Sequence, residues 1–484
     1  MKFDMTTLHE STPEQIDAAA RHAADATPAW ATSSGATRAR LLRGLADAIE
    51  GAREKLVPLA DGETGLGPGR LNGELDRTAF QLRGFADKAE QGDAFAFTED
   101  EAVAGAPPAG RPRLARVRVP LGPVAMFSAS NFPFAFSVLG GDTAAALAAG
   151  CTVVVKAHPG HPGLSREVMK LAQGVVKLQG LPAGVLGMVE GAGIEVGVRL
   201  VQAPQIAAVA FTGSFRGGRA LEKVAQERPR PIPFFGELGS VNPIVPTPAV
   251  LGAQGPQLAQ TLAASIALGA GQFCTSPGVI VVPRDAASQA FVDELVKALA
   301  TQQPHGMLTP LIRTGFDRGV QGWGRHAGLR PLLSERAADG AAPRPFLAEV
   351  DAPDFIADAS LHDEVFGPAA LVVRVDDADQ ARQVLEAIGG SLTVTLWGFD
   401  GDEPPAAPEL ALVRAASQVA GRVLFAGVPT GVAVAGSQQH GGPFPSSTQP
   451  SSTSVGYAAL DRFLRPVALQ DAPAWLTRRA GVPV

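Results

Sequence analysis

From residue 124 to residue 226 short apolar runs alternate with helical patterns without a break, and no other feature of the chain restricts its fold as much. The runs at 124–128, 151–156, 185–189 and 207–211 predict strands. The segments 137–149, 165–178, 194–201 and 215–226 predict helices, with Ser165 as the N-cap of the second. Strands that return to one sheet through helices run parallel, and the helices cover both faces. A less regular series of the same kind follows: helices at 258–268, 286–300 and 377–388, and strands at 278–282, 370–375 and 392–397. The fold class is therefore α/β, with two parallel-sheet regions.

The flanking segments read more simply. Residues 13–105 are helical in pattern, beginning at Pro13 with Ile16, Ala20 and Ala23 on one face, then Leu41, Leu42, Leu45 and Ile49 on another, then a third run at 71–89. Residues 104–110 form a turn-rich linker. The alternating apolar and basic stretch at 114–120 reads as an exposed-edge strand. Residues 331–353 read as loops around short strands. The Gly-, Ser-, Pro- and Gln-rich tail at 436–454 is a long loop of the kind that carries function.

Charged residues make up 18% of the 484 and hydrophobic residues 46%, as in globular proteins. A net charge of −6 gives no reason to expect nucleic acid or an anionic membrane as partner. Two distant cysteines cannot build a disulfide framework, and the N-terminus lacks the apolar core of a signal peptide, so a cytoplasmic setting is expected. Residues 132–155 are long enough to span a bilayer and carry a single charge, Asp142. Pro133, the Gly140-Gly141 pair and the run Val153-Val154-Val155 make them a buried helix followed by a buried strand instead.

Several residues have the placement that chemistry requires. Cys274 follows a helix on the glycine-rich bend Gly269-Ala270-Gly271-Gln272-Phe273, where a thiol is either an accessible nucleophile or an inert buried side chain. Glu237 lies among Phe234, Phe235 and Leu238, where desolvation would make it a usable base; otherwise it is a paired or solvated acid. Asn131 follows a strand's C-terminal end, as an oxyanion donor or as a turn residue. Gly213, Ser214 and Gly218 lie where an apolar strand gives way to a helix, the setting for pyrophosphate on a helix N-terminus. Lys156 ends a strand and either reaches a cofactor or extends into solvent. Cys151 reads as core. His158, His161, His362 and His440 show no spacing that builds a metal site, and no metal is expected.

Six motifs, in order along nearly the whole chain, resemble the aldehyde dehydrogenase superfamily. They are Ser130-Asn131-Phe132-Pro133, Val155-Lys156, Phe211-Thr212-Gly213-Ser214, Glu237-Leu238-Gly239, Gly271-Gln272-Phe273-Cys274 and Glu364-Val365-Phe366-Gly367-Pro368. The resemblance implies that Cys274 attacks an aldehyde and that Asn131 and the Cys274 N–H hold the oxyanion. Hydride passes to a nicotinamide, and Glu237 activates the water that hydrolyses the thioester. It assigns Lys156 to the adenosine ribose, Gly213, Ser214 and Gly218 to the pyrophosphate, and Glu364 and Phe366 to the nicotinamide ribose. It also implies a dinucleotide-binding domain (1–105 and 121–238), a catalytic domain (239–440) and a small β bridging element (106–120 and 441–484), with homodimers or homotetramers expected.

Two positions depart from the common pattern. Pro159 stands where many NAD-using members carry an acid, so NADP is the expected cofactor, with NAD possible. Ser240 replaces a more usual glycine. The segments 155–163, 235–243, 439–445 and 462–467 are similar to the branch that oxidises 2,5-dioxopentanoate (alpha-ketoglutaric semialdehyde) and to NADP-dependent fatty aldehyde dehydrogenases. The first is the expected activity and the second its alternative. Glu237 argues against transfer of the acyl group to coenzyme A, and the retained Cys274, Glu237 and Asn131 argue against a non-catalytic scaffold.

Overall fold

The computed structural model describes residues 9–477 except 96, 97, 336 and 339. The chain forms two compact units. The first runs to Gly236 and takes back Val434–Ser437 and the chain from Ser454 onward. The second holds Glu237–Ala433 and Gln438–Thr453. Residues 441–453, expected with the bridging element, thus pack with the second unit.

The first unit opens with helices α1 (Pro13–Ala31), α2 (Gly35–Gly51), α3 (Arg53–Thr64) and α4 (Pro68–Gln91), then strands β1 (Thr98–Asp100) and β2 (Leu114–Pro120). The alternating region follows: β3 (Val124–Phe127), α5 (Gly141–Ala148), β4 (Val153–Lys156), α6 (Pro162–Leu178), β5 (Leu186–Val189), α7 (Ile194–Gln202), β6 (Ala208–Thr212), α8 (Phe215–Gln226) and β7 (Phe234–Glu237). The second unit comprises β8 (Ile244–Pro246), α9 (Pro248–Ala267), β9 (Val279–Pro283), α10 (Ala286–Ala300), α11 (Pro310–Trp323), β10 (Arg330–Leu333), β11 (Phe346–Asp351), α12 (Ala352–Ala357), β12 (Ala369–Val375), α13 (Ala378–Ile388), β13 (Ser391–Trp397), α14 (Ala407–Val419) and β14 (Ala420–Leu424). Strand β15 (Leu464–Gln470) returns the chain to the first unit.

Five strands of the first unit lie in the order β5-β4-β3-β6-β7, and β3 pairs in parallel with both β4 and β6. The chain moves outward from β3 in one direction and then in the other, so a crevice opens at the carboxyl ends of β3 and β6. The second unit's sheet has the order β10-β11-β12-β9-β8-β13-β14, parallel except for β10 against β11. Val279 and Val281 of β9 enter one core layer, with Phe316, Phe355 and Leu385. Ile280 and Val282 enter the other, with Leu262, Phe291 and Leu295. The two-residue period of a strand covered on both faces produces that split.

Four local expectations give way to tertiary contacts. Ser165 is not an N-cap: α6 begins at Pro162, and the N–H groups of Gly163 and Leu164 donate to the Glu63 carboxylate at 2.7 and 2.9 Å. Strand β2 is not an edge, because antiparallel partners β1 and β15 flank it on both sides. Helix α9 begins at Pro248, its earlier turns obscured in the sequence by Gly252, Gly255 and Pro256. The helix expected from residue 137 starts at Gly141, after a turn through 132–140.

Among the described residues no helix is long and apolar enough to cross a membrane. The lone charge of the apolar 132–155 stretch, Asp142, is buried and accepts a hydrogen bond from the buried Arg462 guanidinium at 2.6 Å. Breaking such a pair leaves an uncompensated charge in a dry environment. Asp142→Ala is therefore expected to destabilise the chain by about 3–5 kcal/mol, read as a lower urea midpoint. The double replacement Asp142→Leu with Arg462→Leu is expected to recover most of the loss.

Candidate active site

The Cys274 loop follows α9 through three consecutive left-handed residues, Gly269, Ala270 and Gly271, at φ of 55°, 56° and 65°. Such a backbone costs an alanine about 1–2 kcal/mol, a cost that persists only where surrounding contacts determine the conformation. They do so here. A Cβ on Gly271 would lie 2.2 Å from the Gly367 carbonyl oxygen, so no side chain fits. Gln272 donates through Nε2 to the Gly269 carbonyl at 2.8 Å and accepts from the Leu308 N–H at 3.0 Å.

The amide of Asn242 holds the loop from the other side. Asn242 is buried and itself left-handed, with φ 46°, and its Nδ2 donates to the carbonyls of Cys274 and Ser276, both at 2.9 Å. The unusual Ser240 serves this amide. Its hydroxyl donates to Asn242 Oδ1 at 2.9 Å, lies 2.8 Å from Ser391 Oγ and accepts from the Leu392 N–H. Cys274 is half-buried.

Glu237 ends β7 and is 4% exposed. The 438–453 loop packs over it: the Leu238 N–H donates to the Ser446 carbonyl, and Glu237 bridges Ser447. This loop delivers His440, which is fully buried and whose N–H donates to Thr453 Oγ1 at 2.8 Å. His440 Nε2 lies 3.5 Å from Cys274 Sγ and 3.1 Å from Glu237 Oε1. The sequence gives His440 no metal-ligand spacing with the other histidines, and it lies 166 residues from the thiol it meets. Its signals were its place within the glycine- and proline-rich loop and within the segment 439–445 that resembles the family branch.

Glu364 and Phe366 line a cleft of the same unit with Ser240, Gly271, Phe273 and Gly367. The Glu364 carboxylate packs against Gly239, where a Cβ would meet it at 2.7 Å. Burial, and then the negative charge of Glu237, push its carboxyl up to about 8 against a backbone N–H at Ser240. Arg422 of β14 is held by the carbonyls of Pro429 and Gly431. Burial pulls its guanidinium down, and the Cys274 thiol acts in the opposite sense.

In the first unit Asn131, Lys156, Gly213 and Ser214 follow or end neighbouring strands β3, β4 and β6 at the carboxyl edge. Ser214 caps α8, accepting from the Gly217 N–H at 3.3 Å, and the first turn of this helix is exposed. A Cβ at Gly213 would lie 2.9 Å from the Phe211 ring, so a side chain there would displace that ring. Gly218 is buried inside α8, its N–H bonded to the Ser214 carbonyl. Lys156 Nζ donates to the Gly191 carbonyl. Burial lowers its ammonium to about 8, against the charge of Glu10. Glu10 in turn accepts from the Gly193 N–H at 3.0 Å. Position 159 carries no acid, and the N-terminal segment places the Glu10 carboxylate where its charge acts on Lys156. Cys151 is core as expected, its thiol pushed up to about 11 by burial.

The Asn131 loop has its own support. Its carbonyl accepts from Arg70 Nη2, and the N–H groups of Phe134 and Ala135 donate to Glu74 Oε1 at 2.7 and 3.1 Å. Arg70 and Arg77 lie over the rings of Phe132 and Phe136.

The sequence matches the aldehyde dehydrogenase family over residues 3–406, and the chain belongs to that family. It is 43% identical over 459 residues to alpha-ketoglutaric semialdehyde dehydrogenase 2 of Azospirillum brasilense, covering 95% of this chain and 87% of that one. It is 40% identical to alpha-ketoglutaric semialdehyde dehydrogenase of Acinetobacter baylyi, covering 96% of this chain and 87% of the other. The fold matches the crystal structure of an NAD-dependent aldehyde dehydrogenase from Sinorhizobium meliloti with a TM-score of 0.78 at 24% identity, over 96% of this chain and 89% of that one.

Burial raises the Glu74 carboxyl to about 7, although the two N–H groups and the arginines oppose the shift. Its folded value lies above the ordinary 4.5, so the folded chain keeps a proton that the unfolded chain loses. That contribution to stability is complete below about 4.5 and is lost as pH rises through about 7. Glu74→Gln keeps the acceptor and removes the titration. Its melting temperature is expected to exceed the parent's by a few degrees at pH 8 and to match it near pH 4.5, measured by differential scanning fluorimetry.

Proposed function

We propose that this dehydrogenase oxidises 2,5-dioxopentanoate to 2-oxoglutarate, with Cys274 as nucleophile and Glu237 as the base for hydrolysis. The observation that carries the mechanism is the placement of His440 Nε2 against both groups. An imidazole nitrogen presents either a lone pair or an N–H, never both. While the thiol is protonated, its S–H points to the Nε2 lone pair. Once the proton has moved, the new N–H faces Glu237 Oε1 and the thiolate remains. The positive charge of Arg422 acts on Cys274 and favours that thiolate.

The sulfur lone pair then forms the C–S bond at the aldehyde carbon, and the carbonyl π pair becomes the oxyanion. Asn131 keeps the oxyanion role that its motif implies. Loss of hydride from this adduct leaves the thioester, and a nicotinamide, if held by Glu364 and Phe366, would supply the acceptor. Glu237 takes a proton from the attacking water, the C–S bond breaks, and the thiolate and the acid are released.

The residues fit a dinucleotide. The exposed first turn of α8 offers backbone N–H groups to a pyrophosphate, and Gly213 leaves the approach open. Glu364 and Phe366 are assigned to the nicotinamide ribose. NADP remains the preferred reading, with the Lys156 ammonium as the cation on that side and Glu10 as the charge that opposes a 2′-phosphate. Glu10→Gln is expected to raise the NADP-to-NAD ratio of kcat/KM by about tenfold or less, given partial screening. An unchanged ratio would place the 2′-phosphate elsewhere.

The names of the two relatives support the dioxo acid, and the guanidinium groups beside the Asn131 loop suit a substrate with a distal carboxylate. We also propose assembly into dimers or tetramers through the exposed strand β15, whose free edge can pair again. The cytoplasm, where the thiol stays reduced, is the proposed setting.

Reduced nicotinamide formation, followed by absorbance with 2,5-dioxopentanoate and decanal side by side, tests the substrate. Faster turnover of the dioxo acid is expected, and a preference for decanal would assign the chain to fatty aldehydes. Turnover that requires coenzyme A would replace hydrolysis with acyl transfer. Cys274→Ser is expected to abolish activity, and His440→Asn to lower kcat by about 10²–10⁴-fold, with partial rescue by added imidazole.

A further inference from the structure

The same three side chains have a second capacity. Cys274, His440 and Glu237 offer a sulfur, a nitrogen and an oxygen, all within 4.8 Å of one another. These are the donor types that zinc takes, with bonds of about 2.3 Å to sulfur and about 2.0–2.2 Å to nitrogen and oxygen. A tetrahedral ion with those bonds separates sulfur from nitrogen by about 3.5 Å and nitrogen from oxygen by about 3.3 Å. The chain holds its Sγ···Nε2 pair at 3.5 Å and its Nε2···Oε1 pair at 3.1 Å. Two of the three edges thus match a bound ion as they stand, and the third, Sγ to Oε1, lies within 4.8 Å and closes to about 3.6 Å by rotation of the half-buried Cys274 side chain. Glu237 and His440 are buried, so few waters compete for their lone pairs. The backbones are fixed independently, His440 by Thr453, Glu237 by Ser447 and the Cys274 carbonyl by Asn242.

We propose that this triangle is an inhibitory site for a thiophilic divalent cation of the zinc type, bound by Cys274 Sγ, His440 Nε2 and Glu237 Oε1 with a water in the fourth position. Binding displaces the thiol proton to solvent and leaves no sulfur pair for the aldehyde. It also occupies the carboxylate that activates water, so both halves of the reaction stop together. Hard cations such as magnesium prefer all-oxygen sites and are excluded by the thiolate and imidazole. Removal of the ion restores the site, because no covalent bond to carbon or oxygen has formed. The inhibition rests on the function proposed above; the binding does not.

The full-length chain, stripped with EDTA, is titrated with Zn²⁺ while alkylation of Cys274 by iodoacetamide is followed by peptide mass spectrometry. One equivalent is expected to slow alkylation by more than about tenfold, and EDTA to reverse it. Co²⁺ in place of zinc is expected to give a thiolate-to-metal charge-transfer band that Cys274→Ser abolishes. His440→Ala and Glu237→Gln are each expected to weaken the metal by at least about tenfold, the scale already seen for loss of outer-shell partners. Mg²⁺ is expected to leave alkylation unchanged. Zinc affinity undiminished in both ligand variants would mean that the thiol binds alone and would overturn the site, as would absence of the cobalt band. If the band and protection are present but no aldehyde is oxidised, the metal site stands and the assigned reaction falls.

Discussion

A single imidazole nitrogen joins the thiol and the carboxylate of the second unit, and the proposed chemistry depends on it. His440 Nε2 lies within hydrogen-bonding reach of the thiol and of the carboxylate, and it can satisfy only one of them as donor. In the proposed mechanism that conflict makes the proton mobile: whichever group holds it, another has lost a partner. Holding three groups to this spacing in a buried place needs rigid backbone on every side. Three left-handed residues before Cys274, the left-handed Asn242 and its Ser240–Ser391 hydroxyl pair provide that rigidity. The backbone strain at Ala270 and Asn242 is thus concentrated around Cys274.

The first unit follows a different logic. Its five-stranded sheet reverses direction at β3, and the residues with chemical potential lie at the carboxyl ends of β3, β4 and β6. A helix N-terminus supplies partial positive charge there without any side chain. Lys156 adds a full charge, weakened by burial and balanced by Glu10. The Asn131 loop is fixed by the buried carboxyl of Glu74 and by two guanidinium groups on aromatic rings, so a polar cluster stabilises a turn that the sequence shows only as aromatic residues around a proline.

The amino-acid sequence by itself determined the elements whose signals are local. The strands and helices from Val124 to Gln226 were legible because apolar period and breakers lie within each segment, and α8 and α10 begin and end where the pattern does. Cys274, Glu237 and Asn131 stood out as candidates because their motifs are contiguous in the chain. Only the tertiary structure decided which groups meet. Glu63 capped α6 from a hundred residues away and displaced Ser165 from that role. β1 and β15 flanked a strand that reads as an edge. Glu10, from the N-terminal segment, brought a negative charge to bear on Lys156. His440, from a loop with no helical or strand period, entered the site beside the nucleophile. Periodicity reports on how a segment buries its own side chains; a hydrogen bond between residues far apart depends on where two segments end, and that is decided by the fold.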